Sequence, residues 1–261
     1  MADGVRPGDL RGYGPEVLHV LLKLPHLGVR HREPELMDAP ELDPARHVQA
    51  LKALARVNRL SGVAARVWQD VLRLSRERRA RGRGEPLRLL DVACGGGDIM
   101  VDVARRARSA AVPLEVHGCD VSPLALDHAR GEAERQGVTA DFFTRDVLAE
   151  GLPGGYDLVC SSLFHHHLSN EDAVKLLRAM ADAGHAILVQ DLLRGTLGYV
   201  LAWSALRLLS SSDVAREDGP RSVRAAFSLP EVRAMAVEAG LAAAVIRRGW
   251  PERFVLRWRG S

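Results

Sequence analysis

Three consecutive histidines, His165-His166-His167, stand just past an apolar run that ends at Ser161. Imidazole has the unperturbed side-chain pKa nearest neutrality, so these residues suit proton removal from a phenol or an acidic C–H. The other chemistry-bearing residues are acids: Asp91, Asp120 and Asp146 each close or follow a short apolar segment. After Asp91 the chain reads Val92-Ala93-Cys94-Gly95-Gly96-Gly97. Glycines there remove Cβ atoms, admit positive φ, and let the backbone come close to a nucleotide-like ligand.

The second acid ends Leu114-Glu115-Val116-His117-Gly118-Cys119-Asp120 and is followed by Val121-Ser122-Pro123. An acid at the end of the second strand of an open α/β sheet takes ribose hydroxyls. Ser122 reads as an N-cap and Pro123 as the first helical residue, which starts a helix beside the ligand. A pyrophosphate dinucleotide fits poorly: the third glycine of G-x-G-x-x-G falls on Met100, and Asp98 puts negative charge where a phosphate would sit. A zwitterionic ligand carrying a sulfonium tolerates that acid.

Leu90-Asp91-Val92-Ala93-Cys94-Gly95-Gly96-Gly97-Asp98 resembles motif I of class I S-adenosylmethionine-dependent methyltransferases, nearest the ubiquinone/menaquinone methyltransferase branch. Ala93 stands at the motif's first glycine, and Gly96 stands where this branch often has Thr. The likeness continues through Asp120, Arg145-Asp146-Val147, and Tyr156 to Leu168, where the branch commonly shows His-His-Leu; it covers roughly residues 87 to 258. It implies S-adenosyl-L-methionine as cofactor. Asp91 would order the glycine turn and the cofactor amino group, with Ala93, Gly95 and Gly97 giving close backbone approach. Asp120 with Val121 would meet the ribose, Asp146 with Val147 the adenine, and Ser161 the methionine part. His166 is the candidate base or acceptor-orienting group, with His167 in reserve; otherwise the histidines cap the helix that begins near Ser169. Asn58 and Arg59 could close over the cofactor, though a solvated or capping role suits them as well. No metal is expected, because adjacent histidines project in different directions and no i, i+4 partner is evident.

Amino-group methylases carry an Asn/Asp/Ser-Pro-Pro-aromatic motif after this strand, whereas the positions here read Ser161-Ser162-Leu163-Phe164. Metal-assisted catechol methylases want acids near this loop, and none occurs before Glu171. The expectation is therefore metal-independent, His-assisted transfer to a hydroxyl of a small aromatic or polyketide-like acceptor. C-methylation of a quinol-type ring is the close alternative, and a non-catalytic cofactor-binding protein the more distant one.

A net charge of +3 with 36 basic and 33 acidic residues describes a mixed surface and gives little support to nucleic acid as a partner. The arginines from Arg73 to Arg88 are interrupted by Glu77, Glu85, Gly82 and Gly84, as in a solvated helix end and linker. Cys94, Cys119 and Cys160 are odd in number and lack C-x-x-C spacing, so they read as small thiols of a reducing cytoplasm. No uncharged run of membrane-spanning length occurs, and a cytoplasmic location is expected.

The elements that must position these groups follow from periodicity and punctuation. Residues 1 to about 35 read as a loosely ordered extension, and the region to 86 as a helical cap with helices opening at Pro44 and Val63. From 87 strand and helix alternate: strand 87–92, helix 97–109, strand 114–119, helix 122–136, strands 139–144 and 156–161, helix 170–182, strand 185–191. This is a doubly wound, mostly parallel α/β sheet of seven strands, completed by a helix over 229–239 and strands 241–247 and 253–258. A cap insertion occupies about 195–227, and within it Leu197 to Leu209 is apolar on most of its circumference. That helix either packs as core or cap, or walls a lipophilic chamber or touches a membrane surface.

Overall fold

A computed structural model describes residues 26–260, so most of the expected N-terminal extension, residues 1–25, lies outside the described residues. Two helices come first, α1 (Pro44–Leu60) and α2 (Val63–Ala80). Strand and helix then alternate as β1 (Leu87–Val92), α3 (Asp98–Ser109), β2 (Leu114–Asp120), α4 (Pro123–Gln136), β3 (Asp141–Thr144), the single turn α5 (Val147–Glu150), β4 (Tyr156–Ser162), α6 (Asn170–Ala183) and β5 (Gly184–Leu192). Helices α7 (Thr196–Leu209), α8 (Asp213–Ala225) and α9 (Leu229–Glu238) precede β6 (Val245–Gly249) and β7 (Arg253–Arg259). The strand order is β3-β2-β1-β4-β5-β7-β6. Pairing is parallel from β3 to β5 and antiparallel where β7 joins β5 and β6.

Strand alternation divides the core. Leu87 and Leu89 of β1 pack with α2, α3 and α4 on one face, and Leu90 and Val92 pack with α6 and α9 on the other. Both faces are covered, so β1, β4 and β5 are buried almost throughout, as parallel strands are. Because β1 lies between β2 and β4, the winding reverses at its carboxyl end and leaves a crevice there. Local chemistry stops and starts the helices: the Ser122 hydroxyl accepts from Ala125 N, Ser169 from Asp172 N, and Ser228 forms a capping box with Glu231.

Gly97 shows how tightly the first turn is built. Its φ is +72°, and a Cβ added there would lie 2.6 Å from Ala129 Cβ and 3.0 Å from Phe142 Cζ. Gly97→Ala is therefore expected to destabilise the fold by about 3 kcal/mol through strain and overpacking combined. A chemical denaturation midpoint equal to wild type would refute this.

Three boundaries differ from the sequence expectation. Helix α2 runs on through the arginines to Ala80 and is pinned by the Arg78 guanidinium, whose Nη1 donates to Asp157 at 2.7 Å. Strand β6 begins at Val245 because Leu241 is buried and Ala244 N closes a turn on Leu241 O at 2.8 Å. Helix α8 falls inside the cap insertion, where the sequence expectation placed no separate helix, and carries Gly219-Pro220 in its interior. It holds because Val214, Ala215 and Val223 are buried.

The N-terminal stretch also departs from expectation. Residues 26–38 are not a loose extension but a strap laid over the histidine loop. The Arg30 guanidinium donates to His166 O at 2.8 Å and Leu168 O at 2.7 Å, and stacks 3.6 Å over the Phe227 ring.

Candidate functional site

The crevice at the end of β1 opens into a cavity of about 1540 Å³. Small-molecule pockets usually enclose roughly 300–1,000 Å³, so this one has room for a nucleoside-sized ligand and a second molecule beside it. Asp91, Ala93, Gly95, Asp120, Val121, Asp146 and Val147 all line it. So do His166 and His167.

Gly95 has φ +52° and nothing within 4 Å of an added Cβ, so its missing side chain leaves open space toward the cavity. Ala93 holds φ 57° with a side chain present, the mild strain expected where the motif usually has glycine. The Asp120 carboxylate accepts from Gly95 N at 2.8 Å and from Ser122 N at 2.9 Å. It thereby ties the glycine turn to the start of α4, and the lone pairs it has left can take a pair of hydroxyls. The Asp146 carboxylate caps α5 through Leu148 N and Ala149 N, using one oxygen for both.

Two expected ligand residues fall elsewhere. Gly97 does not line the cavity, and its bareness serves the packing against Ala129 and Phe142. Ser161 is fully buried, its hydroxyl has no partner, and the next residue, Ser162, lines the cavity in its place. Successive strand residues point to opposite faces, so a one-residue offset decides which serine meets a ligand.

Asp91 is buried, and burial pushes its carboxyl up to about 8, reinforced by repulsion from Asp98 and Asp120 and opposed by the Cys160 thiol, which donates to it at 3.4 Å. The Asn58 amide donates to Asp98 Oδ2 at 3.2 Å, joining α1 to the start of α3 at the cavity wall. A carboxyl whose folded pKa lies above its ordinary value makes folding less favourable as pH rises between the two. Asp91→Asn removes that penalty. The cofactor-free variant should therefore gain melting temperature over wild type by a few degrees more at about pH 8 than at about pH 5, while its affinity for S-adenosylhomocysteine falls. A constant difference in melting temperature across that range would contradict the assignment.

The histidines occupy a single 3₁₀ turn, His165–His167, after β4. His165 is buried with neither ring nitrogen hydrogen-bonded, and burial brings its pKa down to about 4. It is a neutral packing residue. His166 is also buried, which by itself would lower its pKa, but the charges of Asp191 and Glu35 and their hydrogen bonds raise it to about 10. Its Nδ1 lies 2.8 Å from Asp191 Oδ1, and its backbone N donates to Asp191 Oδ2 at 2.9 Å. Its Nε2 faces Glu35 Oε1 at 3.5 Å. Asp191, which burial alone would raise, is held down to about 2 by the imidazolium. His167 has Nδ1 3.2 Å from Asp38 Oδ2 and Nε2 3.9 Å from Glu35 Oε2. Ser222 of α8 completes the cluster by donating its hydroxyl to Glu35 Oε1.

Glu35 and Arg253, which line the cavity, and Asp191, buried behind His166, are among the residues that sequence reasoning missed. Glu35 lies in a stretch without periodicity, and Asp191 ends a strand whose apolar run hides it. Arg253 opens β7, is almost fully buried, and keeps Nε and Nη1 without partners while Nη2 donates to Ser61 Oγ at 3.1 Å. A charged residue at the end of an apolar strand on the sheet's ligand edge was the one available signal.

Helix α7 contributes Ala202, Ala205 and Leu206 to the cavity wall and leaves Leu197 and Leu208 exposed on its other side. No helix among the described residues is long and apolar enough to cross a membrane.

Comparison with known proteins gives concordant results. Residues 89–184 match a family described as a methyltransferase domain. The chain is similar to a demethylmenaquinone methyltransferase of Thermus thermophilus, 34% identical over 108 residues, or 40% of this chain and 47% of the relative. It is also similar to a ubiquinone biosynthesis O-methyltransferase of Bordetella parapertussis, 28% identical over 162 residues, or 57% of this chain and 65% of the relative. The matched segments thus span about half to two thirds of these relatives' length. Among solved structures, an O-methyltransferase family 2 protein of Planctomyces limnophilus in complex with apigenin superposes with TM-score 0.57 at 19% identity, covering 85% of this chain and 63% of that one. At that identity the likeness bears on the fold.

Proposed function

We propose that the chain is a class I S-adenosylmethionine-dependent methyltransferase that methylates a hydroxyl of a small aromatic or polyketide-like acceptor; the match of residues 89–184 to a methyltransferase domain supports this. The observation that carries this reading is one cavity lined both by the Gly95–Asp120 crevice and by His166 and His167. The residues fit S-adenosyl-L-methionine: Gly95 leaves room for it, Asp120 and Val121 meet the ribose, Asp146 and Val147 the adenine, and Asp91 the amino group. When bound, the cofactor supplies an electrophilic sulfonium methyl.

The chain's own work is alignment and proton control. Holding acceptor and methyl in line lowers the barrier by several kcal/mol, up to roughly 7–11 in the best cases. Ala202, Ala205, Leu206 and Phe164 give the acceptor side apolar walls that exclude water. His166, protonated between Asp191 and Glu35, places a positive charge at the cavity wall that favours the ionised form of the acceptor oxygen. His167, a quarter exposed and backed by Asp38, is the imidazole placed to take the proton.

A quinol-type ring is the second reading of the acceptor. Demethylmenaquinone in one relative's name favours it, whereas the other relative is named a ubiquinone biosynthesis O-methyltransferase, which favours transfer to a hydroxyl. Incubation with ¹³C-methyl cofactor and a panel of alkylated phenols and quinols, followed by mass spectrometry and ¹³C NMR, tests both: an O-methyl signal supports the first and a ring-methyl signal the second. Cofactor binding without any methylated product would leave a non-catalytic binding protein.

A further inference from the structure

We infer that Glu35, His166 and His167 form a binding site for a divalent transition-metal ion of the zinc class. Their ligand atoms lie within 4.8 Å of one another, and this is the one such group of three among the described residues. Both imidazoles turn Nε2 toward the same carboxylate: His166 to Glu35 Oε1 at 3.5 Å and His167 to Glu35 Oε2 at 3.9 Å. Metal–ligand bonds of about 2.0–2.2 Å in tetrahedral geometry set neighbouring donors roughly 3.3–3.5 Å apart, so a set whose members all lie within 4.8 Å of one another closes by side-chain rotation without movement of the fold.

The outer contacts match as well. A metal-bound imidazole generally gives its other N–H to a carboxylate, which fixes the tautomer and raises ligand basicity. Both rings have that arrangement, His166 Nδ1 with Asp191 at 2.8 Å and His167 Nδ1 with Asp38 at 3.2 Å. The Ser222 hydroxyl orients the Glu35 carboxylate in the same way. Two imidazoles and one carboxylate are borderline donors that suit Zn²⁺ and its neighbours better than Mg²⁺ or Ca²⁺. All three residues line the cavity, so the remaining coordination positions face the space assigned to the acceptor and would be filled by its oxygens or by water.

This revises the expectation of a metal-independent enzyme. That expectation rested on the lack of a nearby carboxylate partner in sequence, and the partner comes instead from the N-terminal strap. Coordination displaces the Nε2 proton of His166 and occupies Nε2 of His167, so a bound ion would take over the proton-handling roles given to the two imidazoles. Binding is measured without turnover, so failure of the inference would leave the proposed activity standing.

The test is equilibrium binding of Zn²⁺ and Co²⁺ to the full chain after chelator treatment. Metal analysis gives the stoichiometry, and the visible spectrum of bound Co²⁺ reports imidazole ligation. Wild type should take up one equivalent, and Glu35→Gln and His167→Ala should each weaken binding at least about 100-fold, with S-adenosylhomocysteine titration confirming that each variant is folded. Asp38→Asn should weaken it about tenfold, as loss of an outer-shell contact does. His185→Gln, at a surface histidine outside the cluster, should bind as wild type does. Failure of the wild-type chain to hold an equivalent of either ion would overturn the inference, as would equal binding by Glu35→Gln and His167→Ala.

Discussion

His166→Gln is expected to lower methyl-transfer turnover by at least about 100-fold, the usual contribution of a positioned proton-handling group, while the dissociation constant for S-adenosylhomocysteine stays within about threefold of wild type. The ring lines the cavity at the end of β4 and makes no contact with the Gly95–Asp120 turn assigned to the cofactor, so the loss should fall on the acceptor side. Glutamine is the informative replacement, because its amide can still donate to Asp191. Truncation to Ala would leave Asp191 buried with its imidazolium gone, at a cost of about 3–5 kcal/mol, and would confuse folding with catalysis. Single-turnover kinetics with saturating cofactor reads the effect directly. Turnover within about threefold of wild type would remove His166 from the reaction, whether the residue acts by its charge, through Glu35 and His167, or as a ligand to a bound ion.

Asp120→Asn should produce the opposite split, a loss of about 100-fold in affinity for S-adenosylhomocysteine with little change in turnover at saturation. Both carboxylate oxygens already accept backbone N–H bonds, from Gly95 and from Ser122. An amide has one oxygen, so one of those N–H groups loses its acceptor and the glycine turn loses its anchor. The charge that would receive the ribose hydroxyls goes as well. Each hydrogen bond to a charged group contributes about 1.5–3 kcal/mol, so losing one or two accounts for the expected factor. Isothermal titration decides it, and affinity within about threefold of wild type would mean that the ribose binds elsewhere.

The crevice half of the site was legible because its residues lie close together in sequence. Asp91, Ala93 and Gly95 follow one strand, Asp120 and Val121 follow the next, and winding strands in parallel necessarily brings their carboxyl ends to one edge. Capping residues such as Ser122, Ser169 and Ser228 announce helix starts through local hydrogen bonds, and all three stand where expected. The misplacement of Ser161 came from applying the same local logic one residue off, in a strand buried on both faces where apolar patterning cannot say which side a serine faces.

The histidine half was legible only as a list of residue types. Which of the three adjacent imidazoles is inert packing, which is charged and which faces the cavity follows from partners far away along the chain. Glu35 arrives on the strap that Arg30 fastens to the loop, Asp191 from the end of β5, and Ser222 from a helix that runs through Gly219-Pro220. By itself the amino-acid sequence determined the sheet, its winding and the adenosyl crevice, because hydrophobic period, capping and turn chemistry act over a few residues. The tertiary structure alone decided the charge state and pairing of the histidines, because burial and the approach of carboxylates from distant segments set the pKa and orientation of a titratable group.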